Sequence, residues 1–305
     1  MVAFALGSAW VIFPSLVYPG LIGSHAVLYT NAALAMVQGS DPWTVGPPIF
    51  AGPPTMPLTF LPFVGAPDLI VRASWIAIDI VIAVWAIRRL RLPAYWLAFP
   101  PLVQSIVLGH PEVLLFGLLV GPPLLSGLAI LVKPYAVFPL LAERRWQALA
   151  LGVAAVLVTI PLLPWPKFFV EFPEIVVTIV RQNNGDAAGD PIAIVIGVVA
   201  LLSLGLRRAL WLSVPVLWPF AQPNYKVMTV PALTPMVALA WAIPIPGFTE
   251  AGVVVLAALV MVGRFRALPA WLERGIAEWP GAPTALERRV SVGLPFSPAA
   301  QVGAS

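Results

Sequence analysis

The chain contains no cysteine, which excludes disulfides and thiolate-bound metals. It has only two histidines, His25 and His110, far apart in sequence and too few for a histidine-built metal centre. Charge is equally scarce. Only 10% of the 305 residues are charged, against about a quarter in a soluble globular domain. No phosphate-cradling or nucleophile motif is present either: there is no G-x-x-x-x-G-K-S/T, no G-x-G-x-x-G after a strand and no G-x-S-x-G. A soluble nucleotide sugar is therefore an unsuitable donor for any chemistry here. Ten-residue segments of alternating hydrophobicity, the mark of a membrane β-barrel, are also missing.

What is present is apolar and helical in pattern. Hydrophobic residues make up 60% of the chain, and the mean hydropathy is +0.94. Backbone groups in hydrocarbon must be satisfied internally, so these runs predict an all-α, polytopic transmembrane helix bundle of about 8–10 membrane segments, some of them re-entrant. The net charge of +4 and the pI of 9.8 are read as the cytoplasmic excess of basic residues, with no nucleic-acid partner. Arginine outnumbers lysine 14 to 3, which points to a GC-rich bacterial genome and so to the bacterial cytoplasmic (inner) membrane. The first apolar run lacks a basic leader and an A-x-A exit, and is expected to be a retained helix.

The segments run in order. Residues 2–22 form the first span, and 25–38 a short amphipathic helix. "MPLTFLPFVG" at 56–65 is too short to cross, and 68–87 is a full span ending in "RRLR" at 88–91, the strongest cytoplasmic anchor. Further segments are expected at 93–108, 113–125, 128–146, 146–164, 191–206, 209–220 and 227–242. This topology puts three polar stretches, 24–55, 165–190 and 221–226, on the extracytoplasmic face. A membrane domain over 1–263 is then followed by an interfacial helix and flexible tail over 264–305. No internal repeat is visible.

Asp41 sits in a Gly-Ser-Asp-Pro-Trp turn that holds its carboxylate locally, either as a general base or as a plain turn former. His25 opens the amphipathic stretch four residues before Tyr29, as a base near neutral pH or an interfacial residue without a role. Lys133 interrupts an apolar hairpin ahead of Pro134 and Tyr135; a cation there marks a function, such as a lipid-linked phosphate, unless it snorkels to the interface. His110 and Glu112 flank Pro111 at an outer junction. Gln222, Asn224 and Lys226 share the third outer turn. Asp79, deep in its span, is expected to hydrogen-bond a neighbouring helix, and Arg72 to pair with Asp68 one turn away.

Four stretches together resemble the polytopic C-type (GT-C) glycosyltransferases, above all the polyprenol-phosphate-mannose-dependent mannosyltransferases. They are "HAVLYTNAALAMVQGSDPW", a Pro-Pro step followed by "LTFLPF", "VLGHPEVLLFGLLV", and "LAILVKPYAVFPLLAERRW". The "RQNNG" turn is similar too. The resemblance implies a GT-C-like fold and transfer of a sugar, mannose in most of the family, from a polyprenyl-phosphate donor to a lipid or glycan acceptor. It requires no metal and no organic cofactor. It also brings departures. The family's catalytic aspartate falls on His25, its glutamine on His110 and its late paired histidines on Tyr225 and Lys226. The base is then His25, or Asp41 displaced along the loop, or it is lost. The residues placed to bind donor and acceptor are Arg72, His110, Glu112, Lys133, Tyr135, Gln222, Asn224 and Lys226. The partners implied are the donor and membrane lipids. An inactive GT-C-like structural subunit of a larger membrane complex is the alternative, with membrane-protein subunits as partners, and a transporter is the third reading.

Overall fold

The computed structural model describes residues 1–45, 50–182, 191–218, 222–243 and 248–265. Every regular element among them is helical. The α-helices are α1 (Val2–Val17), α2 (Ser24–Val37), α3 (Asp68–Arg89), α4 (Pro100–Leu108), α5 (Glu112–Val120), α6 (Ala129–Val132), α7 (Val137–Ala142), α8 (Trp146–Thr159), α9 (Trp165–Gln182), α10 (Pro191–Ser203), α11 (Leu206–Leu217), α12 (Pro235–Trp241) and α13 (Phe248–Phe265). Tight 3-10 segments occupy Met56–Phe63 and Pro223–Ala232.

Proline and glycine set most of the boundaries. The expected first span over 2–22 ends as a helix at Val17, because Pro19 and Gly20 turn the chain into a 3-10 turn over Pro19–Leu21. The Pro100-Pro101 pair starts a new helix inside 93–108. Pro134 forces Lys133 into an extended conformation (φ −147°, ψ 121°) and splits 128–146 into α6 and α7. The segment 227–242 is also divided: its first part belongs to the 3-10 run that contains Pro231, and α12 begins only at Pro235. As a result, among the described residues, only α3, with 22 residues and a mean hydropathy of 2.0, is long and apolar enough to cross a membrane. The expected tail helix, the "RQNNG" turn beyond Gln182 and the end of the 209–220 segment lie outside the described residues.

α1 packs on α4, α3 on α5, and α10 on both α11 and α13. Three buried clusters result. One holds Trp96, Phe99, Phe116 and Trp241, near the Arg89 end of α3. A second holds Tyr135, Tyr225, Trp211 and Met228. A third gathers Tyr29, Trp43, Phe60, Trp75 and Phe168 around the Asp68 half of α3. Leu114 and Val156 pack against both the second and the third. The polar site occupies that seam.

Candidate functional site

Two left-handed glycines bring its parts together. Gly23 (φ 64°) precedes α2, and its N–H donates to the Val107 carbonyl at 2.8 Å. Gly109 (φ 72°) ends α4, and a Cβ there would stand 3.1 Å from the Ala26 Cβ. Only glycine adopts this conformation readily while allowing so close an approach. The start of α2 therefore lies directly on the α4–α5 turn. His25 and His110, 85 positions apart, stack with ring centroids 3.8 Å apart.

His110 leads to Glu112, in the first turn of α5 and fully buried. The Nδ1 of His110 is 3.4 Å from Glu112 Oε2, and Lys133 Nζ is 3.5 Å from Oε1. These separations are longer than a good charged hydrogen bond, and neither carboxylate oxygen makes a hydrogen bond among the described residues. Lys133, itself buried, lies 5.3 Å from the centre of the Tyr225 ring, which packs on Tyr135 at 5.3 Å. His25, His110, Glu112, Lys133 and Tyr135 thus form one group, completed by Tyr225.

Burial decides the protonation of the two imidazoles. Desolvation pushes His25 well below its usual range; His110 and Lys133 lower it further, while Glu112 opposes the shift. Burial and the Lys133 charge bring His110 down to about 3. Both rings are therefore neutral at pH 7. Burial likewise raises the Tyr29 phenol, with Glu112 and Tyr225 adding to the effect.

An apolar cavity of about 420 Å³ opens beside this group. Its lining includes Ile130, Val153, Val156, Leu157, Trp165 and Phe168, together with Lys133, Tyr135 and Tyr225 of the polar group. It is an apolar cavity with one cation, Lys133, in its lining.

The other expected site residues lie elsewhere. Asp41 Oδ1 accepts from the Trp43 N–H at 3.0 Å, and Oδ2 meets Lys167 Nζ of α9 at 2.5 Å. Its carboxylate is both turn cap and ion-pair partner, and Trp43 beside it packs on Phe168. Arg72 donates to the carbonyl oxygens of Gly20 (2.8 Å) and Ile22, pinning the α1–α2 turn in place of the expected pairing with Asp68. Lys226 turns from Lys133 toward Trp241, with Nζ 5.8 Å from that ring. Asn224 is buried, its amide nitrogen without a hydrogen bond among the described residues, and Gln222 is half-buried at the start of the 3-10 run. Asp79 is fully buried, but neither oxygen makes the expected hydrogen bond among the described residues.

Sequence reasoning passed over Tyr29 and Lys167. The spacing of His25 and Tyr29 on one helical face was a usable signal for the first; the second pairs with Asp41 across 126 positions and left none. Among the described residues, no group of three His, Asp or Glu side chains is placed to hold a metal ion. No family model, curated protein or solved structure matches the chain.

Proposed function

We propose that the chain is a multi-pass protein of a bacterial inner membrane that transfers a sugar, mannose on the family resemblance, from a polyprenyl-phosphate donor to a lipid or glycan acceptor at the extracytoplasmic face. The membrane placement is supported by α3 and by the large apolar side chains exposed around the fold, among them Trp10, Phe13, Val81, Leu157, Val158 and Val170. The observation that supports the transferase reading is an apolar cavity with a buried lysine in its lining, that lysine grouped with two neutral imidazoles and a buried carboxylate.

The chemistry follows from the placement. The isoprenoid part of the donor would lie against Trp165, Phe168 and Leu157, with its phosphate reaching Lys133. The acceptor hydroxyl attacks the anomeric carbon as the bond from that carbon to the phosphate oxygen breaks. The phosphate leaves with the bonding pair, its charge met by Lys133. The hydroxyl proton passes to His25, the half-buried member of the stacked pair. A phosphate brought beside the imidazoles raises their proton affinity, so donor binding itself prepares the base. Glu112 steadies the positive charge that then develops.

The test is transfer of radiolabelled mannose from polyprenyl phosphate to a membrane lipid extract, with the purified protein in nanodiscs. Activity that falls by roughly a hundredfold or more in His25→Ala, the usual scale for a lost base, supports the reading. Unimpaired transfer in His25→Ala would remove His25 from the mechanism. A second reading, an inactive structural subunit, is favoured by one observation: Asp41, the acidic alternative to His25, is held by Lys167 and the Trp43 N–H. A folded protein that transfers none of several lipid-linked sugars and purifies in fixed ratio with another membrane protein would establish it.

A further inference from the structure

A second and larger cavity, about 790 Å³, lies at the Arg89 end of α3, away from the cluster around Glu112. Five guanidinium groups line it, from Arg88, Arg89, Arg91, Arg145 and Arg207, against one carboxylate, Glu143. That carboxylate is already engaged: Arg207 grips it with Nε and Nη2 at 3.0 Å each, and Trp211 Nε1 donates to it at 2.8 Å. One carboxylate is thus set against five arginines.

Two of the other arginines are tethered to backbone carbonyls. Arg89 Nε donates to the Val120 carbonyl at 2.8 Å, and its guanidinium lies 5.7 Å from the Trp85 ring centre. Arg145 Nη1 donates to the Leu119 carbonyl at 2.8 Å, while its Nε is buried without a hydrogen-bond partner among the described residues. Arg91 is placed by a left-handed backbone (φ 54°) that costs a non-glycine residue about 1 kcal/mol. Glycine would close α3 at no such cost, but would bring no charge. Above the arginines, the wall continues as Ile80, Val81 and Val84, with Val81 67% exposed.

A rigid cationic floor under an apolar wall matches one chemical class, a phosphodiester headgroup carrying acyl chains. We propose that this cavity binds an anionic phospholipid of the cytoplasmic leaflet, with its phosphate on Arg88, Arg91 and Arg145 and an acyl chain along Val81 and Val84. Guanidinium forks suit phosphate oxygens, and basic pockets between helices at the cytoplasmic surface hold such headgroups. The inference rests on the membrane placement proposed above, and is independent of sugar transfer.

Native mass spectrometry of the full chain, released from detergent with added phosphatidylglycerol or phosphatidylcholine and no sugar donor, tests it. The wild type should retain phosphatidylglycerol roughly tenfold better than phosphatidylcholine, and Arg88→Gln/Arg91→Gln should erase the preference. Both arginines are exposed, so the fold should tolerate the change; Arg145→Gln gives the same reading should it not. Equal retention of the two lipids by the wild type, or an undiminished preference in the variants, overturns the proposal. Displacement of the lipid by glycerol phosphate at matched concentration also overturns it, in favour of a free-phosphate site. Mannose transfer by the same samples reports separately on the Glu112 cluster.

Discussion

Glu112 and Glu143 sit toward opposite ends of α3 and are held in opposite ways. Glu143, at the arginine cavity, accepts three hydrogen bonds of 2.8–3.0 Å from Arg207 and Trp211. Glu112 is more deeply buried, yet the neutral His110 ring stands 3.4 Å away, its one nearby cation, Lys133, 3.5 Å away, and neither oxygen is hydrogen-bonded among the described residues. A buried carboxylate normally has its oxygens satisfied. Architecture alone explains Glu143, which ties α11 to the turn after α7. It does not explain Glu112, which is buried beside two neutral imidazoles and a lysine 3.5 Å away. The comparison separates a charge that builds the fold from one kept at the fold's expense.

The largest effect should come from breaking the outer pair. Glu112→Gln leaves Lys133 buried without a counter-charge and should cost about 3 kcal/mol or more of stability. Because the pair is poorly bonded, Glu112→Gln/Lys133→Met should recover most of that loss; thermal unfolding in detergent measures both. If the double variant is as unstable as the single one, the pair is structural after all and the contrast with Glu143 fails. Glu143→Gln should cost less, about 1–2 kcal/mol, the value of charge-assisted hydrogen bonds at a partly solvated site.

Acid sharpens the same contrast. His25 and His110 are folded as neutral rings, whereas the unfolded chain protonates them near their ordinary value of 6.5. Above that pH they impose no penalty. As pH falls from about 6.5 toward 3, the unfolded state takes up protons that the folded state refuses, and stability declines. Between pH 6.5 and 5, before most carboxylates titrate, His110→Gln should flatten the decline, whereas Arg145→Gln at the other end should leave its slope unchanged. The smallest effect belongs to Asp41–Lys167, whose lysine side chain is 47% exposed. Lys167→Gln should leave the thermal midpoint nearly unchanged, and a clear drop would place the Asp41 turn among the structural supports of the site.

The site was legible in pieces. His110 and Glu112 flank a proline, so their joint appearance at one helix start could be read directly, and Lys133 before Pro134 announced itself as a cation in an apolar run. Asp41 was equally conspicuous, but its turn chemistry was the whole of the local signal and its partner came from α9. Lys226, in a polar turn, and Lys133, in an apolar hairpin, were both candidates for a phosphate; only packing put one beside Trp241 and the other beside Glu112. The expected span over 93–108 misjudged Pro100-Pro101, since hydropathy reports solvent preference and not whether a helix continues.

By itself the sequence determined the all-helical character, the apolar surface, the stops imposed by proline and glycine, and α3 to within two residues, because each depends on contiguous residues acting through backbone geometry and hydropathy. The tertiary structure alone decided that His25 would stack on His110, that Glu112 would meet Lys133, and that arginines from three separate helix ends would surround one cavity. Those contacts join residues 21 to 119 positions apart. Nothing local fixes where such side chains meet; the close approach of helices at Gly23 and Gly109, and the direction in which each turn releases the chain, do.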